Sequence, residues 1–219
     1  MMELEFKRFA NGPLRVLCLG AHSDDIEIGC GGTVLRMAEQ FGEQLDVRWV
    51  VMSGVGERKS EAENSARRFL ANVRHAQCDI HGFRDGFFPQ SWGEIKEVFE
   101  GLKTGYAPDV VFTHHRDDRH QDHRIVSDLT WNTFRNHLIL EFEIPKFDGD
   151  LGSPNVFVPL AEETASRKVT HILESFPSQG GKHWFTGDTF QALLRIRGLE
   201  SGGRERHAEA FYARKLLLL

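Results

Sequence analysis

Residues 15–32 read RVLCLGAHSDDIEIGCGG, and residues 109–123 read DVVFTHHRDDRHQDH. In each stretch a short apolar run ends abruptly in histidines and carboxylates. The runs, 15–20 and 109–113, have the length and composition of strands buried on both faces, as in a parallel sheet. Between and beyond them, strand-like and helix-like segments alternate. A Gly-rich turn leads to a helix over 32–41, followed by a strand over 47–52, a charged helix over 58–73 and a short strand over 79–83. A helix over 92–105 places Ile95, Val98, Phe99 and Leu102 on one face. A helix over 120–134 and a strand over 137–142 complete the clear alternation. This pattern predicts one α/β domain over residues 1–219, with a mostly parallel sheet flanked by helices. Residues 144–160 read as an ordered loop carrying one edge strand. Helices follow over 162–176 and 188–197, with a loop over 177–187 between them. The closing RKLLLL, 214–219, reads as a terminal helix docked on the core or on another subunit.

In a doubly wound sheet the chain winds outward one way from its first strand, crosses back, and winds outward the other way. The first and fourth strands then become neighbours, and ligands bind beyond their carboxyl ends. Both polar clusters fall at those ends, so they are expected to share one crevice. Histidine nitrogen mixed with carboxylate oxygen is the donor set of a catalytic zinc or a related ion, with three protein ligands leaving a position for water. His22, Asp25 and His123 are the expected ligands. Asp24, unable to join the same coordination sphere easily, is the expected general base. His120, one helical turn before His123, is placed to stabilise an oxyanion, supported by Asp122 or a neighbouring carboxylate. His114 and His115 are read as supporting or structural. Arg58, after the second strand, is a candidate to reach substrate. The turn 29–32 lacks the full G-x-G-x-x-G spacing and carries acidic residues where phosphates would approach, so a dinucleotide is not expected.

Composition narrows the rest. Apolar residues make up 40% and charged ones 27%, an ordinary soluble balance, and the net charge of −5 without a basic run argues against a nucleic-acid partner. No stretch approaches the roughly 18 apolar residues of a membrane span, and the start lacks an apolar h-region. The three scattered cysteines read as reduced, buried thiols rather than a disulfide framework. A cytoplasmic location is expected, and assembly into a homo-oligomer is left open.

At these residues the chain resembles the PIG-L, or LmbE-like, family of zinc-dependent N-acetylglucosaminyl deacetylases. Its Ala-His-Pro-Asp-Asp signature and following Gly-rich turn are matched by residues 21–25 and 29–32, and its His-x-Asp-His ending by His120, Asp122 and His123. RGLE at 197–200 and AEAF at 208–211 resemble the family's closing segment. The resemblance implies a Rossmann-like fold and a hydrolase that removes the acetyl group from a small acetylated amino sugar or its conjugate. It implies zinc, with ferrous iron as the alternative, on His22, Asp25 and His123. Asp24 would be the base, and His120 the acid or oxyanion group oriented by Asp122. Ser23 departs from the signature proline. Asp118 stands where some relatives carry tyrosine, and is noted with Arg58 as a candidate substrate contact. Two other readings stand beside this one. A binuclear hydrolase of the metallo-β-lactamase type is suggested by Asp118-x-His120-x-Asp122-His123, although that fold begins with many strands. The other is a non-catalytic sugar-binding protein that keeps the crevice.

Overall fold

The computed structural model describes residue 6 and residues 12–216. The first strand, β1 (Leu14–His22), leads into α1 (Asp25–Phe41), and β2 (Leu45–Ser53) into α2 (Glu57–Phe69). There follow β3 (His75–Ile80), α3 (Trp92–Gly105), β4 (Val110–His114), α4 (Gln121–Thr133) and β5 (Leu138–Phe142). The remainder contains β6 (Val156–Leu160), α5 (Glu162–Ser175), α6 (Gly187–Ser201) and β7 (His207–Tyr212). The seven strands form one sheet in the order β3-β2-β1-β4-β5-β7-β6. Strands β1 to β5 are parallel, and β7 runs antiparallel to both β5 and β6.

The neighbouring of β1 and β4, expected from the crossover rule, is present, with Val16 opposite Val110 and Cys18 opposite Phe112. Side chains alternate across the sheet with the strand period of two. Val16, Cys18, Trp49 and Phe112 pack on the side of α1, α2, α5 and α6, while Leu17, Leu19, Val50 and Val111 pack on the side of α3 and α4. Burial on both faces is why these strands read as unbroken apolar runs.

Several expectations are corrected. The residues 29–32 are not a turn: α1 starts at Asp25, and the glycines lie inside it. They are there for close packing, since a Cβ on Gly29 would sit 2.3 Å from the Phe142 ring and one on Gly32 2.5 Å from Leu160. Burial against the sheet outweighs the poor helix propensity of glycine. The third strand lies earlier than expected, at His75–Ile80, because it is a sheet edge with exposed side chains and has no apolar run to reveal it. Strand β7 was not expected at all. Its Glu209 is buried, accepting the Lys168 ammonium at 2.6 Å and the N–H groups of Gly32 and Thr33 at 2.8 and 2.6 Å. A polar residue satisfied this way is at home in a core, but nothing in its neighbourhood in the sequence says so. Cys18 and Cys30 are buried as expected, whereas Cys78, on the edge strand, is exposed; all three are free. Residues 214–216 are not helical, and 217–219, the rest of the expected terminal helix, lie outside the described residues.

Candidate metal and catalytic site

The site forms where β1 and β4 end. His22 is the last residue of β1, and the turn Ser23–Asp24 leads directly into α1, whose first turn carries Asp25. An acidic group there is favoured by the helix dipole. The Ser23 hydroxyl donates to the Ser53 carbonyl at 3.2 Å, so the turn that lacks the family proline is tied to the end of β2 instead. From the other side, His120 caps α4, its Nδ1 accepting the Asp122 N–H at 3.3 Å, and His123 follows within the first turn.

The expected ligands converge. His22 Nδ1 lies 3.1 Å from His123 Nε2 and 3.2 Å from Asp25 Oδ2, and His123 Nε2 lies 3.5 Å from the same oxygen. Tetrahedral bonds of 2.0–2.1 Å to nitrogen and oxygen would place ligand atoms about 3.3 Å apart. The outward-facing atoms of both rings are already engaged. His123 Nδ1 is held by Asp118 Oδ2 at 2.8 Å, and His22 Nε2 faces Asp85 Oδ1 at 3.1 Å and Asp122 Oδ2 at 3.3 Å. With each ring singly protonated toward its carboxylate, two imidazole lone pairs and a carboxylate oxygen point at one another; the second proton that the surrounding carboxylates draw onto His22 occupies the place a cation would take. That arrangement favours a cation between them, so these residues fit a metal.

His22 and His123 also group with His120, and two further groupings of donors compete less well. His114 Nε2 is 3.2 Å from Asp25 Oδ2, but it also accepts the Ala21 N–H at 3.0 Å, which commits its lone pair. A second cluster of His22, Asp85 and Asp122 exists, yet Asp122 Oδ2 and Oδ1 already accept the N–H groups of Gly86 and Phe88 at 2.6 and 3.1 Å.

Electrostatics divides the two neighbouring aspartates. Both are desolvated by burial, which alone would raise their pKa. For Asp25 the surrounding His123, His114 and His22 outweigh burial and hold the carboxyl well below its usual range. For Asp24 burial prevails over the Arg58 guanidinium, and its pKa is raised. Burial lowers His123 to about 4, keeping the ring neutral. It works the same way on His22, but the carboxylates of Asp25, Asp122 and Asp85 overcome it and raise that ring well above its ordinary value. His120 is lowered by burial and by the charge of His22.

Asp122 does not orient His120 through its carboxylate, as expected, because both of its oxygens are occupied by the 86–88 turn and His22; only its backbone N–H meets the His120 ring. Asp118 is buried, accepting from His123, from the His120 N–H at 2.8 Å and from Lys146 at 2.9 Å, which leaves it little to offer a ligand. Arg58 donates to Asp24 Oδ1 at 2.8 Å. Asp85 was missed in the sequence. It follows β3, whose carboxyl end opens on the same crevice, and that position was the available signal.

A doubly wound α/β protein with a His/Asp constellation at its switch point is the class that fold and site define. Residues 17–134 match the family model PIG-L, GlcNAc-PI de-N-acetylase, and the chain belongs to that family. It is 30% identical over 177 residues to an uncharacterized deacetylase of Escherichia coli K12, YaiS, across 74% of this chain and 91% of that one. Among solved structures, a conserved protein from Thermus thermophilus superposes with a TM-score of 0.71 at 21% identity, covering 94% of this chain and 97% of its own. The N,N'-diacetylchitobiose deacetylase from Pyrococcus horikoshii gives a TM-score of 0.67 at 20% identity, covering 91% and 83%. These two likenesses confirm the fold. No helix among the described residues is long and apolar enough to cross a membrane.

Proposed function

We propose that this chain is a metal-dependent hydrolase that removes the acetyl group from an N-acetylglucosamine-type amino sugar or its conjugate. The observation that carries the reading is the triangle of His22 Nδ1, Asp25 Oδ2 and His123 Nε2, with sides of 3.1 to 3.5 Å, beside the buried carboxylate of Asp24. Family membership supports it, as do the deacetylase names of YaiS and of the chitobiose enzyme. His22, Asp25 and His123 would hold zinc or ferrous iron. Such an ion supplies a Lewis acid, the chemistry that acidifies water and polarises an amide carbonyl.

The chain's own groups do the rest. Asp24 Oδ1 is engaged by Arg58, and Oδ2 makes no hydrogen bond among the described residues, so Oδ2 takes the proton of the attacking water. The raised pKa suits a base that must hold that proton and pass it on. Because His120 Nδ1 accepts the Asp122 N–H, a neutral His120 carries its proton on Nε2. That N–H donates to the acetamide oxygen as negative charge develops, while the proton taken up by Asp24 passes to the departing amine. Asp118 and Asp122 fix the rings of His123 and His22. We place the enzyme in the cytoplasm, where free cysteines such as these persist, acting on a small-molecule substrate.

The test is acetate release from free, glycosidic, nucleotide-linked and lipid-linked acetylated amino sugars, with metal content measured alongside. Wild type should release acetate from at least one, and Asp24→Asn should keep its metal while losing about 10²- to 10⁴-fold in rate. No release from any sugar by metal-loaded protein would favour mere binding, and a requirement for two tightly bound ions per chain would favour a binuclear enzyme.

A further inference from the structure

Behind Asp24 lies a network that runs from the buried Asp24 and Glu61 through the partly exposed Arg58 to Ser178, exposed on a distant loop. Arg58, near the start of α2, donates from one nitrogen to Asp24 Oδ1 at 2.8 Å and from the other to Glu61 Oε2 at 3.2 Å, with Ser178 Oγ at 3.4 Å. Its guanidinium carbon lies 5.5 Å from the centre of the Phe176 ring. Glu61 is buried, and both its oxygens are spent on one residue of the loop after α5: Oε1 accepts the Ser178 N–H at 2.8 Å and Oε2 the Ser178 hydroxyl at 2.6 Å. A buried carboxylate with this many partners has one arrangement open to it. The guanidinium, planar and gripped on two edges, is fixed in turn. Asp24 is therefore anchored by one oxygen while the other is left open.

We propose that Glu61 and Ser178, neither of which touches the reacting centre, are positioning residues for the base Asp24, acting through Arg58. This rests on Asp24 being the base. It links the 177–187 segment, which borders this side of the site, to the geometry of the chemical step: loss of the Ser178 contacts frees Arg58, and Asp24 then samples orientations that do not meet the water. Misplacing a catalytic group by about 1 Å can cost on the order of 10²-fold in rate.

The test compares Glu61→Gln, which keeps the shape but not the charge, and Ser178→Ala, which keeps the loop N–H, with wild type and Asp24→Asn. Each is loaded with zinc and assayed on an acetylated amino sugar that wild type hydrolyses, with zinc stoichiometry and melting temperature recorded. Glu61→Gln should lower kcat about tenfold or more, and Ser178→Ala a few-fold, with KM within about twofold and one zinc per chain in both. Arg58→Ala should lower kcat at least as far and regain part of it on adding guanidinium ion, a recovery that a merely structural role would not give. A rise in KM with kcat unchanged would overturn the proposal in favour of a substrate-holding network, and so would wild-type kinetics in both Glu61→Gln and Ser178→Ala. If Asp24→Asn itself stays active, the base assignment fails; if only Asp24→Asn is impaired, the relay alone fails.

Discussion

Asp24 and Asp25 are joined by one peptide bond, yet they belong to different regions of the molecule. Asp25 looks toward the ends of β1 and β4 and is ringed by His22, His114 and His123. Asp24 looks toward α2 and the loop after α5, where its cation is Arg58. Both are buried, and burial pushes both carboxyls in the same direction. What separates them is the balance of neighbouring charge: His123, His114 and His22 hold Asp25 well below the usual carboxylate range, whereas for Asp24 the pull of Arg58 and His22 is opposed by the charge of Asp25, and burial leaves it raised. On the proposed reading Asp25 is a carboxylate ligand, which must stay ionised, whereas Asp24 is a base, which must take a proton and release it. Two neighbouring residues of one type can thus divide the labour, because a turn between strand and helix sends successive side chains to opposite sides of the crevice.

The sharpest way to break this contrast is to remove each carboxylate in turn. Asp25→Ala should abolish measurable activity and weaken zinc binding by more than the 10- to 100-fold typical of losing an outer partner of a ligand. Asp24→Asn should leave zinc binding unchanged. Equilibrium zinc titration of the two variants decides it, and equal losses of affinity would mean that the two aspartates are not divided as proposed.

The same contrast extends one layer out, to Asp118 behind His123. A carboxylate on Nδ1 fixes which nitrogen faces the site and makes the ring a better ligand. Asp118→Asn should therefore weaken zinc about 10- to 100-fold, with KM for the sugar unchanged at saturating metal. If instead KM rises and zinc affinity is intact, Asp118 faces substrate, as its place in the motif had suggested.

The sheet around β1 and β4 was legible in the sequence because strands buried on both faces must be apolar throughout, and polar clusters at their ends stand out sharply. Crossover topology then brought residues 22 and 123 together without any knowledge of side-chain geometry. The readings that failed share a cause. Gly29 and Gly32 look like a turn by propensity, but Phe142 and Leu160 press on them and make them a helix face. Glu209 hides a core strand because its partners, Lys168 and the α1 backbone, are supplied by distant elements. Asp118, Asp122 and Arg58 were singled out by sequence, but what each one touches is decided by hydrogen bonds that spacing does not encode. Residue types and their convergence were readable; the partition of contacts among them was not.

A third carboxylate on the first turns of α1 belongs to neither region. Glu27 is fully buried, and neither of its oxygens has a hydrogen-bond partner among the described residues. Burial is the main reason its pKa is pushed up to about 8; the neighbouring Ser65 hydroxyl, too poorly aligned for a good hydrogen bond, opposes the rise, and the charges of Asp24 and Asp25 add to it. In the unfolded chain the group ionises near 4.5. Between those values the unfolded chain gives up a proton that the folded one keeps, so stability is full below about pH 4.5 and is lost as pH rises toward 8. At about 1.4 kcal/mol per pH unit, the loss by pH 7 is on the order of 3 kcal/mol. Glu27→Gln, which cannot ionise, should escape it. In metal-free protein the variant and wild type should melt together at about pH 5, and the variant should melt several degrees higher at about pH 8. Parallel melting curves across that range would mean that Glu27 is ionised and stabilised in place, drawing it into the charge balance that separates Asp24 from Asp25.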